Sequence, residues 1–216
     1  VYERRGIMPN WTDNKVVIRG TAENVKRFMN DITTLEANSD DTPNQIYNLT
    51  DINPVPDVYK NMHSGAREID GVRYSEWFED DEGVRPLLDI NKEEIIKKHG
   101  YANAIDWQYG NWGTKWGDCD TEVQSETYTD THGTVDMTFG SAWSPPFMLL
   151  NDIAIKYDLE ITAKYIVEFD DDEHIDRYPL SLKETDKLYK QHREGLEIMR
   201  DAVEKVTIFN METDNE

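Results

Sequence analysis

Lys15-Val16-Val17-Ile18-Arg19 is a β-branched apolar run between Asn14 and Gly20, and it predicts a strand. Thr21 stands in a capping position. Val25, Phe28, Met29, Ile32 and Leu35 then recur at helical spacing, predicting a helix from Ala22 to Leu35. Beyond it the periodicity fades into Asn, Asp, Pro and Gly until Asp89. Asn53-Pro54-Val55-Pro56-Asp57 within this stretch reads as a rigid extended piece, because each proline turns its predecessor away from helix. So long a stretch without periodicity is unusual in a compact domain and reads as a functional, partner-facing insertion.

Regular pattern returns at Asn91, a cap for a short helix from Lys92 to His99 that Gly100 ends; a second helix is expected over Tyr101 to Tyr109. Glu122 to Tyr128 and Thr134 to Ser141 alternate around the turn Asp130-Thr131-His132-Gly133, a hairpin signature. Ser144-Pro145-Pro146 opens a helix with Ser at the cap, and Phe147, Leu150, Ile153, Ala154 and Tyr157 form its stripe. Leu159, Ile161, Ala163, Tyr165, Val167 and Phe169 alternate with polar residues as a last strand. Strand, helix, insertion, hairpin, helix, strand is the order of an α+β, ferredoxin-like split β-α-β sheet with its helices on one face. This sets a domain over 8–169 with an insertion at about 38–110, followed over 170–216 by an acidic turn and a C-terminal helix. That helix, from about Lys183 to Val206, carries Leu182, Tyr189, Leu196, Met199, Val203 and Val206 on one side, a stripe for docking on the same domain or for a homodimer seam. Residues 1–7 are expected to be an extension ahead of a start at Met8.

Charge narrows the partners. The 216 residues hold 44 acids against 23 Lys and Arg, a net charge of −21. Nucleic-acid binding needs clustered cations that displace condensed counterions, so direct contact with DNA or RNA is not expected, nor is an anionic membrane. A basic protein surface is the complementary partner. Aromatic residues make up 11%, including six Trp, which separates this chain from acidic disordered ones. Phe147 to Leu150 is the longest apolar candidate, far short of the ~20 residues of a membrane span. No secretory signal is visible, and the lone Cys119 suits a reducing compartment, so a cytoplasmic location in a host cell is expected.

Three segments carry a resemblance. Met8-Pro9-Asn10-Trp11 precedes Asn14, Val16, Ile18 and Gly20; Asn111-Trp112-Gly113-Thr114-Lys115-Trp116 follows; Ala142-Trp143-Ser144-Pro145-Pro146 comes after a strand. Together, in this order, they resemble a family of bacteriophage and plasmid proteins with a ferredoxin-like domain, whose proline-bearing insertion is similar to Asn53 to Pro56. Members of that family often place a Cys after the opening Trp, where this chain has Thr12. The resemblance implies the fold and a mobile-element origin. It implies no reaction.

Candidate chemistry falls into two classes. Trp107, Trp112 and Trp116, with Lys115 among them, fit either stacking on a nucleotide with Lys115 on its phosphate, or capping the open face of a small sheet together with Trp11 and Trp143. Acids gather around Glu76, Trp77, Phe78, Glu79, Asp80, Asp81 and Glu82, over Asp118 to Glu126, and over Asp170, Asp171, Asp172, Glu173 and Asp176. None has calcium-loop spacing, so no metal or other cofactor is expected. Cys119 lies between two acids that raise its pKa and weaken any thiolate role, and the five His residues show no ligand spacing. The expected function is therefore non-enzymatic: an inhibitor that docks on a host protein's basic, nucleic-acid-handling surface as a DNA mimic, a form of anti-defence. Trp77, Glu79, Asp80, Asp81, Glu82, Asp170, Asp171 and Asp172 form the expected contact set. A nucleotide-binding protein using Trp107, Trp112, Lys115 and Trp116 is the alternative.

Overall fold

The computed structural model describes residues 10–37, 43–86, 92–170 and 172–181, with positions 183, 184, 187 and 190 of the following stretch. The chain divides into two compact units, Val1–Pro179 and Leu180–Glu216. Met8, Asp171 and most of the expected C-terminal helix lie outside the described residues, although those four positions are helical.

The first strand, β1 (Trp11–Thr21), is longer than its apolar run predicts. Thr12 and Asn14 continue the inward alternation of Val16 and Ile18, and their polarity hides it in the sequence. Helix α1 (Ala22–Ile32) begins where the Thr21 hydroxyl accepts from the Asn24 N–H at 3.1 Å. It ends three residues before the expected Leu35. Thr33 turns extended, its hydroxyl donating to the Met29 carbonyl at 2.6 Å, and β2 (Thr33–Ala37) pairs with β3 (Pro43–Tyr47). Adjacent β-branched Thr33 and Thr34 favour that change, and Leu35 is exposed.

The expected irregular insertion is substantially ordered. After a 3-10 turn at Leu49–Ile52 and α2 (Asp57–Lys60), three antiparallel strands follow: β4 (Met62–Ile69), β5 (Val72–Asp80) and β6 (Gly83–Pro86). Strands in which polar and charged residues fall on both faces leave little periodicity to read. Helix α3 (Lys92–His99) matches expectation, with its Asn91 cap outside the described residues. Helix α4 (Ala104–Trp112) lies three residues later than expected, because Asn103, not Tyr101, starts it: its side chain accepts from the Asp106 N–H at 2.8 Å. Gly113 closes α4 at φ 85°, a conformation that suits glycine.

The hairpin of β7 (Cys119–Tyr128) and β8 (His132–Ala142), helix α5 (Phe147–Tyr157) and strand β9 (Glu160–Val167) complete the anticipated series. A further strand, β10 (His174–Tyr178), pairs with β9, so the acidic segment is a hairpin turn leading into an edge strand and not a link to a separate part. The fold is mixed α+β around a five-stranded sheet of order β10-β9-β1-β8-β7, antiparallel at every ladder. Helix α1 packs on β1 and β8, α5 on β9 and β10, and the two helices touch. Val25, Phe28, Ile32, Leu149, Leu150 and Ile153 close over Val16, Ile18, Val135, Met137, Ile161 and Ala163, every one of them buried. Burial of this apolar face is the main stabilising contribution. The opposite face, bearing Asp13, Lys15, Arg19 and Lys164, is exposed.

Candidate functional site

One end of the sheet collects three distant segments. The Asn14 side-chain amide donates to the Ser141 hydroxyl at 2.8 Å, and Ser141 donates to the Ser144 carbonyl at 2.8 Å. Ser144 in turn donates to the Gly113 carbonyl at 2.9 Å, and Thr114 to the Ala142 carbonyl. Ser144 therefore ties the turn to α4 instead of capping α5, whose preceding residue Pro146 makes no side-chain cap bond. Thr12, Asn14, Thr114 and Ser141 are buried, and a buried polar chain of this kind specifies one arrangement of the segments it joins. The start of β1, the end of α4 and the Ala142–Pro146 turn are so held together.

Above this polar floor the tryptophans separate into two sets. Trp107 and Trp112 are buried and meet edge to face at 5.7 Å, with the Trp112 indole N–H donating to the Asn53 carbonyl at 2.8 Å. That bond anchors the proline-bearing piece of the insertion to α4. Trp11, Trp116 and Trp143 are 37%, 38% and 43% exposed, joined at the same end by Ile166 at 43% and Phe169 at 89%. Trp11 and Trp116 lie 5.8 Å apart, and Lys115 Nζ sits 4.7 Å over the Trp116 ring. Trp143 is held at φ 76°, unfavourable for a bulky residue, by its N–H donating to the Asn10 carbonyl at 2.7 Å. Of the stacking set expected from sequence, Lys115 and Trp116 stay at the surface, whereas Trp107 and Trp112 belong to the interior.

Carboxylates border this patch. Glu168 grips the strand start from both sides: its side chain accepts from the Trp11 N–H at 2.8 Å and its N–H donates to the Trp11 carbonyl at 2.7 Å. Phe169 and Asp170 follow directly. Asp170 receives the Asp172 N–H at 3.1 Å and pairs with His174 at 3.0 Å, a contact that holds the Asp170 carboxyl below its usual range and raises His174. Asp13, Asp120 and Glu122 line an open depression of about 430 Å³ on the exposed sheet face, together with Lys15, Lys164 and Glu173. Trp11, Phe169 and Glu168 were not singled out as contacts by the residue pattern. Their signal is the odd-numbered face of β1 and the turn after β9, legible only once the register is known.

The other expected contact residues are placed differently. Trp77 is half-buried on β5, stacked on His63 at 5.5 Å with the Arg67 guanidinium 5.7 Å from its ring. Asp80 and Glu82 both pair with Arg85, at 2.6 and 3.2 Å, at the β5–β6 turn, while Glu79 and Asp81 are exposed. The side chain of Glu76 lies outside the described residues.

Two acids behave unlike surface groups. Asp118 accepts from the N–H groups of Leu49 and Thr50 at the start of the 3-10 turn, and burial pushes its pKa up to about 6 against those bonds. Burial also raises the Cys119 thiol, with Asp118 and Asp120 adding to it, so a thiolate is disfavoured. Among the described residues, no group of three or more His, Cys, Asp and Glu could hold a metal ion, and no helix is long and apolar enough to cross a membrane. Comparison of this chain with protein-family models, with curated proteins and with solved structures found no match.

Proposed function

We propose that this is a non-enzymatic docking protein of a phage or plasmid that occupies a basic, nucleic-acid-handling surface of a host protein, built on a ferredoxin-like core. Support for the core is the strand order β9-β1-β8-β7 with helices between β1 and β7 and between β8 and β9. One observation carries the function: five large apolar side chains, Trp11 among them, stay open at one end of the sheet, bordered by Glu168, Asp170, Asp13 and Asp120. An exposed apolar patch with a charged rim is the usual anatomy of an interface, and Trp is the commonest anchor. The rim is acidic, so the complementary surface is rich in Arg and Lys, and attraction at a distance speeds the encounter. A host protein that grips phosphates presents such a surface. Its competitor for this protein is then nucleic acid itself.

Nucleotide stacking is the weaker reading, because Lys115 already lies over the Trp116 ring and Trp107 and Trp112 are buried. The deciding experiment takes host proteins recovered with the tagged chain at low salt and asks whether the chain displaces DNA or RNA from each. Displacement that weakens at high salt and with Trp11→Ala/Trp116→Ala is expected. Recovery of partners by the double variant at full strength refutes the assignment of this patch.

A further inference from the structure

The depression beside Trp11 has a floor without a side chain. In the β1–β8 ladder Asp13 faces Gly140, and in the β8–β7 ladder Gly140 faces Cys119, so glycine occupies the middle of the row. A Cβ placed on Gly140 would point at Trp11 Cε3, 3.6 Å away, and at the Cys119 carbonyl oxygen, 3.7 Å away. Glycine is not needed there for backbone reasons, since its φ is not positive and both contacts are ordinary van der Waals distances. Its effect is to leave a niche with the indole of Trp11 on one side and Asp13, Asp120 and Glu122 around it.

The depression also holds two lysines: Lys15 stands two residues from Asp13 on β1, in the cross-strand row of Glu122 and Thr138, and Lys164 lies beyond it on β9. Lys15 and Lys164 face each other across β1 and β9, and Lys164 is matched by Glu173 at 2.9 Å. With Lys164 matched by Glu173, Asp13, Asp120 and Glu122 outnumber Lys15, so the Gly140 niche is net acidic and lies beside the Trp11 indole. These features fit a planar cation with several donors better than a compact ammonium. A guanidinium stacks on an indole and bonds carboxylates through parallel N–H groups, whereas an ammonium is a strongly hydrated point charge.

Resting on the docking function proposed above, we infer that the Gly140 niche receives an arginine side chain of the basic partner, stacked on Trp11 and held by Asp13, Asp120 and Glu122. Arginine becomes the residue that registers the partner on the sheet face. Lys15, which makes no ion pair among the described residues, supplies a donor for a carbonyl of the same segment.

The test uses the full chain and two fluorescent peptides of equal length and charge, oligo-arginine and oligo-lysine, in anisotropy titrations. Wild type is expected to bind oligo-arginine at least about tenfold more tightly than oligo-lysine. Gly140→Val fills the niche with a residue suited to a strand, and it is expected to abolish that preference while circular dichroism shows an unchanged fold. Asp13→Asn/Glu122→Gln, which alters no backbone, is expected to reduce the preference in the same direction. Equal binding of both peptides by wild type, or a preference untouched by both variants, overturns the niche and leaves the docking function standing. Failure of wild type to bind either peptide at low salt overturns both.

Discussion

Two acidic turns, one after β5 and one after β9, differ in how their aromatic neighbours are covered. At the β5–β6 turn, Trp77 lies under His63 and Arg67, and Arg85 takes up Asp80 and Glu82. At the β9–β10 turn, Phe169 stands open next to Glu168, which bonds the Trp11 backbone; Asp170 faces only His174, and Glu173 at the far end of the turn pairs with Lys164. In sequence the two segments look alike: acids around aromatics. The difference teaches that acid density does not make a docking surface. A cation nearby and a covered ring convert the first turn into a self-contained hairpin, whereas the second keeps both charge and apolar area available to a partner.

The strongest way to break the comparison is to remove what supports the open rim. Trp112→Ala deletes a buried ring and the bond that anchors the Asn53 carbonyl, and it is expected to lower unfolding free energy by about 3–5 kcal/mol in urea titrations. Trp116→Ala, at the surface, is expected to cost less than about 1 kcal/mol. Equal losses would mean that the rim tryptophans are structural and the contrast between the sets is empty.

The next largest effect is on binding. Trp11→Ala/Trp116→Ala is expected to weaken association with a basic partner or oligo-arginine by about 2–3 kcal/mol in calorimetry, against less than about 0.5 kcal/mol for Trp77→Ala. A larger loss from Trp77→Ala would move the interface to the insertion.

Asp118 sharpens the comparison from another side, because it pins the insertion to the residues leading into β7. At pH values between about 4 and 6 the folded chain keeps a proton on Asp118 that the unfolded chain has released. Stability from this group is therefore greatest in acid, falls as pH rises through that interval, and is level above it. The fall is expected to be roughly 2–3 kcal/mol by urea denaturation across the pH series, and Asp118→Asn, which retains an acceptor for Leu49 and Thr50, removes it. A wild type and variant with parallel pH profiles would show that Asp118 is not strained by its surroundings.

The main sheet was legible because its inward residues are apolar and periodic: Val16 and Ile18, Val135 and Met137, Ile161 and Ala163. Where the inward positions turn polar, as at Thr12 and Asn14, the apolar alternation disappears from view, and at Asn14 an amide bonding the Thr12 carbonyl and the Ser141 hydroxyl stands in place of an apolar side chain. The insertion was misread for a related reason, since two small sheets bury few large side chains and tolerate Thr, Glu and Arg along their strands. Strand β10 escaped because only Ile175 and Tyr178 interrupt its polar run. The acids of the site were visible, and so were the tryptophans. What the sequence lacked was the register, which puts Trp11 over Gly140, sinks Trp107 and Trp112 and leaves Trp116 out. Pairing across more than a hundred residues is not encoded in local pattern.

The smallest expected effect addresses charge alone. Asp170→Lys/Asp172→Lys reverses the open turn, and Glu79→Lys/Asp81→Lys reverses the same number of charges on the other. Both change the net charge by the same amount, so a partner attracted only by the global field responds equally to the two. If the open turn borders the interface, its reversal lowers affinity by about 1 kcal/mol more than the other, with the excess in the association rate and in its salt dependence. The excess is modest because exposed charges are screened and the Asp170–His174 contact is lost at the same time. Equal responses in stopped-flow association at low salt would reduce the acidity of the rim to a property of the whole molecule, and the docking surface would then rest on its tryptophans alone.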